Sequence, residues 1–413
     1  MADPTACAKA CQFITPDYRQ AEARVHGRSA SPEAASDEAH FGVVQMMIRA
    51  RLKSPSEGAQ WTGITTELAA DLLRAGKVDA VIAMAPHPED RWRPVPAIVE
   101  RAEDLAACRG MRMGYAPIMA AVEYAAARGL RRLAVVAIPC QVYALRALEA
   151  DLQLDTLHVI GTPCSDNTTT ERFHQFLALL SDEPETITYL EFRADYHVEL
   201  RFADGRQKLI PFLMLPLSNL PSDFFPLTCR TCVDYTNRLA DITVGYMGGT
   251  GQQWLIVRNA RGRAMLDALG ARIEISKPET GGRRANAVEG FLANTERAAG
   301  GLPLRKMPGW VRPIVAWFMP RIGPRGLEFA RARVEMKAIE TVLHLRRHAP
   351  RRMRTMVPEH VWRLVAPYGL ERRPSEDSHQ DGDARAPENR ALHTQADELD
   401  IASPPASSAS RGS

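Results

Sequence analysis

No stretch of this 413-residue sequence reaches the roughly 18 uninterrupted apolar residues that a bilayer-spanning helix needs. The opening MADPTACAKACQF has neither the basic start nor the apolar run of a signal peptide. Excess charge of one sign is missing too: 52 Lys and Arg against 49 Asp and Glu leave +3, which excludes the strongly basic surface of a nucleic-acid binder. No G-x-G-x-x-G follows a strand and there is no P-loop, so neither a Rossmann dinucleotide site nor ATP chemistry is expected, and NAD(P)H is not expected as direct donor. Cysteine is scarce, at seven. The expected compartment is the cytoplasm, where cysteines serve as ligands or reactive thiols rather than in disulfides.

What is present is enough apolar sequence, 45% of residues, for two or three domains with a large core. The first half alternates helix and strand. PIMAAVEYAAARGL reads as an Ala-rich helix ended by Gly129, and RRLAVVAI as a buried strand stopped at Pro139. CQVYALRALEADL (140–152) has helical periodicity, and LDTLHVIGT returns to strand until Pro163. The middle turns β-rich: ITYLEFRADYHVELRFADGRQKLIPF holds two alternating runs and an Ala-Asp-Gly turn at 203–205, a hairpin expected to pack beside the Cys loop. The expected fold is α/β (α+β), with a parallel-rich α/β core, a hairpin-containing middle region, a helical C-terminal part and a disordered tail.

Residues 226–249, PLTCRTCVDYTNRLADITVGYMGG, hold the pair Cys229-x-x-Cys232. Such a pair is half of a zinc site, half of an iron–sulfur site or a redox dithiol, and spacing alone does not choose. Cys140 and Cys164 occupy equivalent places, each following a Pro that stops a strand, at the edge where open α/β sheets collect ligands. Two thiols from neighbouring strand ends plus the loop pair make a four-sulfur cage suited to zinc or to a 4Fe–4S cluster. Zinc fingers usually pair knuckles close in sequence, whereas two of these ligands arrive singly and far apart. That favours iron–sulfur, with zinc and unrelated buried cysteines still open. Cys108 reads as a small buried hydrophobe.

GAQWTGITTELAADLLRAG (58–76), IPCQVYALRALE (138–149), GTPCSDNTTTERFHQFL (161–177), CRTCVDYTNRLADITVGYMG and WLIVRNARGRAML (254–266) resemble a group of iron–sulfur flavoproteins. The group is that of ferredoxin-dependent divinyl (proto)chlorophyllide 8-vinyl reductase and 7-hydroxymethyl chlorophyll a reductase, related to the beta subunits of deazaflavin-dependent hydrogenases and dehydrogenases. The resemblance spans about residues 7 to 345, and EGAQWTG, CVDYTN and GPRGLEFAR (323–331) are specific to the chlorophyll branch. It implies a redox chain: reduced ferredoxin, one or two 4Fe–4S clusters, FAD, then a pigment. The implied activity is reduction of the 8-vinyl group of divinyl (proto)chlorophyllide a in (bacterio)chlorophyll synthesis. Alternatives are the hydroxymethyl chlorophyll reductase, an electron-transfer beta subunit without a pigment site, and a zinc-stabilised binding module.

By the same resemblance, Cys140, Cys164, Cys229 and Cys232 hold one cluster, with Thr162, Ser165, Asn167, Thr231 and Tyr235 as sources of hydrogen bonds to sulfur. Relatives carry a further Cys-rich N-terminal segment with a C-x-x-C-G motif; here only Cys7 and Cys11 stand for it, a partial second cluster. Either translation starts upstream of Met1 or the second cluster is lost. For FAD, the candidates are Trp61, Thr62, Gly63, Thr65 and Thr66 at a helix N-terminus, where backbone N–H groups suit phosphate, together with Asp166 and Asn167; the plainer reading of Thr62 to Thr66 is a helix cap. His26, His40, Phe41, Trp61, Trp92 and Tyr115 are candidates for pigment walls, and His26, His40 or Asp166 for the proton donor, with nothing to rank them. Arg258 is a candidate for a phosphate or pigment carboxylate.

The expected layout is an N-terminal iron–sulfur segment over 1–56, an α/β flavin and cluster domain over 57–180, a β-rich region with the Cys loop over 181–300, a helical region over 301–370 and a disordered tail over 371–413. WVRPIVAWFM is read as capping the core rather than resting on a membrane, so peripheral contact is the most expected of any bilayer. The basic run LRRHAPRRMR (345–354) is a candidate receiver for ferredoxin.

Overall fold

Strands form where short apolar runs lie between turn residues. The computed structural model describes residues 8–14, 16–31, 37–56, 59, 61–193, 195–245, 251–298 and 307–377. The strands used below are β1 (Met46–Leu52), β2 (Ala80–His87), β3 (Asp90–Val99), β4 (Arg132–Ala137), β5 (Thr156–Gly161), β6 (Ile187–Phe192), β7 (His197–Phe202), β8 (Gln207–Pro211), β9 (Ile242–Gly245), β10 (Gln253–Val257) and β11 (Ile273–Ser276). The helices are α1 (Tyr18–His26), α2 (Glu38–Phe41), α3 (Ile64–Arg74), α4 (Ile118–Ala127), α5 (Pro139–Leu148), α6 (Thr170–Leu180), α7 (Leu227–Arg230), α8 (Ala260–Leu269), α9 (Arg284–Ala298), α10 (Val311–Ile322) and α11 (Leu327–His348).

Eight strands make the main sheet, in the order β11-β1-β10-β9-β5-β4-β2-β3. Its centre is parallel, β2 to β4, β4 to β5 and β5 to β9, and both flanks are antiparallel. Both faces of the central strands are covered, as parallel strands require. Leu133 and Val135 of β4 face one way, against Val122 and Ala125 of α4 and Val142 and Leu145 of α5. Ala134 faces the other way, into the core shared with Leu68 of α3 and Leu266 of α8.

The expected hairpin is β7 and β8, and β6 adds a third strand beside β7. Its apolar side, Leu190, Val198 and Leu200, packs on Phe173, Phe176 and Leu177 of α6 and on Leu220 and Phe224 of the chain leading to the Cys loop. The long helix α11 buries Ala338, Ile339 and Val342 against Phe41, Trp254 and Ile256.

Two expectations fail at the C-terminal end. The stretch WVRPIVAWFM forms α10, which lies over Phe212–Met214 with none of its residues buried, so it is not the core cap expected. Residues 371–377, expected in the tail, are ordered: a short turn at Pro374–Glu376 places the buried Glu376 against Arg346 at 2.8 Å. The rest of the expected tail, 378–413, lies outside the described residues. Among the described residues no helix is long and apolar enough to cross a membrane.

Candidate functional site

Three separate stretches converge at the carboxyl edge of the parallel strands. β4 ends at Ala137, and Pro139 opens α5, placing Cys140 in its first turn. β5 ends at Gly161, and the Cys164 N–H donates to the Tyr235 carbonyl at 3.1 Å, tying this strand end to the Cys loop. Cys229 lies in the single turn α7, and the Cys232 N–H donates to the Cys229 carbonyl at 3.1 Å. Gly245 at the end of β9 allows the closure, since a Cβ there would stand 2.4 Å from the ring of Pro163. Asn237, in the same loop, donates to the Ala137 carbonyl at 2.8 Å.

The four sulfurs lie close enough to feel one another's charge. Burial first, and then Cys140, Cys229 and Cys232, push the Cys164 thiol well above its ordinary range. Burial likewise raises Cys140 and Cys232 to about 12, and raises Cys229. Hydrogen-bond donors face the sulfurs: the backbone N–H groups of Gln141 at Cys140 and of Asn167 at Cys229. The Gln12 amide reaches Cys232 Sγ at 3.5 Å, and the Tyr115 hydroxyl lies 3.8 Å from Cys229 Sγ. Among the described residues, no three His, Cys, Asp or Glu side chains close around a single metal ion.

A charged layer from α11 backs the cysteines. Lys337 Nζ donates to Asp166 at 2.6 Å and to Glu340 at 3.1 Å, and Glu340 also meets Arg230 at 3.5 Å. Burial raises the Asp166 carboxyl to about 6 against the pull of Lys337. Glu340, which burial alone would also raise, is held below its ordinary value by Lys337, His344 and Arg230. Arg333 donates to the Ser165 hydroxyl at 2.6 Å and Thr341 to the Cys232 carbonyl at 3.0 Å. Gln12, Arg230, Lys337 and Glu340 are not signalled by the sequence, because the contacts that bring them to the site, to Cys232, to Asp166 and between Arg230 and Glu340, span more than 100 positions.

The other candidates scatter. Asn167 stands beside Cys229, but its carboxamide is spent on Gly114, accepting from N–H at 3.0 Å and donating to C=O at 2.7 Å. That bracket holds the segment carrying Tyr115, a residue 54% exposed at the edge of the site. Gly63 precedes α3 with no side-chain cap bond, and the buried Thr62 hydroxyl donates to Gln253 at the start of β10. Trp61, Thr65 and Thr66 are half-buried around that helix start, while Gly58 and Gln60 lie outside the described residues. Among the described residues no side chain caps the first turn of α3, which runs against reading Thr62 to Thr66 as a helix cap.

His26, His40 and Arg258 serve packing. His26 bridges the Arg238 carbonyl at 2.9 Å and Asn259 at 3.2 Å. His40 meets Glu335 at 2.9 Å, in a network with Arg284 and Tyr368. Arg258, completely buried, donates to the carbonyls of Phe41, Val43 and Thr236 at 2.6, 2.9 and 2.9 Å, which corrects its reading as a phosphate or carboxylate ligand. Phe41 is core, edge-on to Trp254. Cys108 is half-buried against the core, as expected, its thiol raised by burial to about 11. Cys11 precedes Gln12, whose amide reaches Cys232, and is a free cysteine; Cys7 lies outside the described residues. A half-open cleft of about 1040 Å³ lies at the carboxyl end of β2, walled by His87, Trp92, Cys108 and His174, and none of the four cysteines lines it.

Comparison with known proteins gives a consistent picture. Two sequence models of the coenzyme F420 hydrogenase/dehydrogenase beta subunit match, the N-terminal one over residues 47–123 and the C-terminal one over 130–280. An uncharacterized protein, all1601, of Nostoc sp. is 36% identical over 88% of this chain and 89% of its own. The chloroplastic 7-hydroxymethyl chlorophyll a reductase of Oryza sativa subsp. japonica is 36% identical over 87% of this chain and 79% of its own. Among solved structures, a chain of the F420-reducing NiFe hydrogenase complex from Methanosarcina barkeri superposes with a TM-score of 0.52 at 21% identity, over 58% of this chain and 84% of that one, a likeness of fold.

Proposed function

We propose, on the premise that this chain belongs to the coenzyme F420 hydrogenase/dehydrogenase beta-subunit family, in the group of 7-hydroxymethyl chlorophyll a reductase, that it is an iron–sulfur flavoprotein reducing a chlorophyll-type pigment. The substrate we assign is the 8-vinyl group of divinyl (proto)chlorophyllide a, and the donor reduced ferredoxin. One observation supports the reading: three distant stretches carry Cys140, Cys164, Cys229 and Cys232 to the carboxyl edge of the parallel strands, where the Cys164 backbone is bonded to the Cys loop at Tyr235.

The residues fit a cluster. Buried thiols raised by desolvation and by one another stay protonated unless a cationic centre takes them as thiolates, and metal binding does that. A single zinc ion gathers its four sulfurs tightly, about 2.3 Å from the metal. A four-iron cubane is wider. The N–H groups at Cys140 and Cys229, the Gln12 amide and the nearby Lys337 ammonium would offset charge on cluster-bound sulfur. The N-terminus of α3, without a side-chain cap, suits the diphosphate of FAD. Bound together, a cluster and a flavin would turn single electrons into the pair that, with two protons, converts a vinyl group to ethyl. Of the three candidate acids only Asp166 lies beside the cysteines, since His26 and His40 are held in packing bonds elsewhere.

A second reading, reduction of a 7-hydroxymethyl group, is favoured by the 36% identity with the rice enzyme. Anaerobic purification with iron and flavin counts, followed by assay of both pigments with reduced ferredoxin, separates the readings. We expect flavin, at least four irons per chain and loss of the 8-vinyl group. Conversion of the hydroxymethyl pigment alone would replace the substrate. Flavin and iron with neither pigment changed would leave an electron-transfer subunit, and a colourless zinc protein would remove the whole proposal.

A further inference from the structure

The helix α10 presents the wrong side to water for a core-packing helix. Trp310, Ile314, Trp317, Phe318 and Ile322, at 75, 50, 57, 43 and 51% exposure, line its outer face. Pro313 and Arg321 complete that face, while Val311, Val315 and Met319 are only half-covered by the body. An ordinary surface helix turns its apolar stripe inward. Here five of the twelve exposed large hydrophobic residues among those described gather on one segment, too many for the scattered exposure that soluble surfaces tolerate. The patch is firmly held: Phe212–Met214 packs under it, and the Tyr196 hydroxyl donates to the Pro324 carbonyl beyond its end.

Charge says what covers the patch. Residues 301–327 contain five Arg and Lys and no Asp or Glu, in a chain whose charges otherwise nearly balance. The Arg321 guanidinium lies over the Trp317 ring at 4.0 Å, so a cation and an indole share one plane of the surface. An apolar face with indoles and an adjoining set of cations is the composition of a helix lying in the interface of an anionic bilayer. At 12 residues, about 18 Å, it is too short to span one. A second copy meeting the same face would bring cations against cations with no acid to relieve them.

We propose that α10 docks this protein on an anionic phospholipid surface, with the ring system of Trp317 and the side chains of Ile314 and Phe318 seated in the interface. This stands independently of the pigment chemistry. The test uses the full chain and sedimentation with vesicles of phosphatidylcholine alone or mixed with phosphatidylglycerol, with solution mass measured in parallel. Binding is expected to the mixed vesicles only, weakening with salt. Trp317→Ser with Phe318→Ser should lower the partition coefficient about tenfold or more with an unchanged thermal midpoint, and Arg312→Gln with Arg321→Gln should remove the preference for phosphatidylglycerol. Three outcomes overturn the proposal: no sedimentation with either vesicle, equal binding by the variants, or an oligomer or a complex with an acidic electron carrier that the Trp317 variant breaks while vesicles bind neither form.

Discussion

His26 lies where α1 ends against the loop before β9, and its two ring nitrogens are both engaged. Nε2 donates to the Arg238 carbonyl and Nδ1 accepts from Asn259 Nδ2, an arrangement open only to the neutral ring. Burial lowers its pKa from 6.5 to about 4, with the Arg258 and Arg146 guanidinia adding to the effect while the Arg238 carbonyl and Asp241 oppose it. The sign follows from proton counting. As pH falls below 6.5 the unfolded chain takes a proton that the folded one refuses until about 4, so the stabilisation is complete above 6.5 and drains away across that window. The loss approaches about 3 kcal/mol. His26→Gln, which keeps a donor and an acceptor but does not titrate, should unfold at nearly the wild-type urea concentration above pH 6.5 and at a higher one than wild type near pH 4. Equal pH dependence in the two proteins would show that His26 titrates normally. A side chain so used does not donate protons to substrate, and neither its identity nor its spacing in the sequence shows this, because its partners lie 212 and 233 positions away.

At the scale of elements, the close approach of α8 to β9 rests on Gly262. A Cβ there would stand 2.0 Å from the Asp241 carbonyl oxygen, so the first turn of α8 lies against the start of β9 only without a side chain. Gly290 in the middle of α9 has nothing within 4 Å of the same point. Alanine should therefore act oppositely at the two sites: Gly262→Ala should destabilise by about 1–3 kcal/mol or more despite the better helix former, and Gly290→Ala should stabilise by about 0.5–1 kcal/mol. Urea midpoints of the two variants check this, and a gain at both would mean that α8 sits further from β9 than the backbone positions imply. The contrast also marks what could be read from sequence. RLAVVA and TLHVIG were legible as β4 and β5 because each is a short apolar run stopped by proline, and Cys140 and Cys164 were legible with them as strand-end residues. The pairing of β1 with β10 and β11 was not, since it joins residues some 200 positions apart. α10 falls inside the helical region expected over 301–370, but the apolar run WVRPIVAWFM does not say which of its faces meets the body.

For the molecule as a whole, the four thiols come from three parts of the fold that one bound centre would link. Cys140 belongs to α5, Cys164 to the end of β5, and Cys229 and Cys232 to the loop that α11 overlies through Thr341 and Arg230. Gln12 brings the N-terminal segment to the same point. A centre bound to all four sulfurs would join the sheet edge, the Cys loop and the C-terminal helix, and would stabilise the folded state by mass action, by about 2.7 kcal/mol at a hundredfold excess over its dissociation constant. Without it, the burial that raises all four thiols, joined by repulsion from neighbouring cysteines at Cys140, Cys164 and Cys232, opposes formation of thiolates and adds no such link. Stripping iron with a chelator under oxidant should therefore lower the thermal midpoint of the full chain at a fixed scan rate and open residues 226–240 to proteolysis, while α3 and α8, on the far side of the sheet, stay protected. Cys164→Ser should begin at the lowered midpoint and show no further drop on stripping. If the loaded and stripped proteins instead unfold together, with iron counts confirming the difference in load, the metal sits somewhere other than these four sulfurs, and the convergence of strand ends and loop is a feature of packing alone.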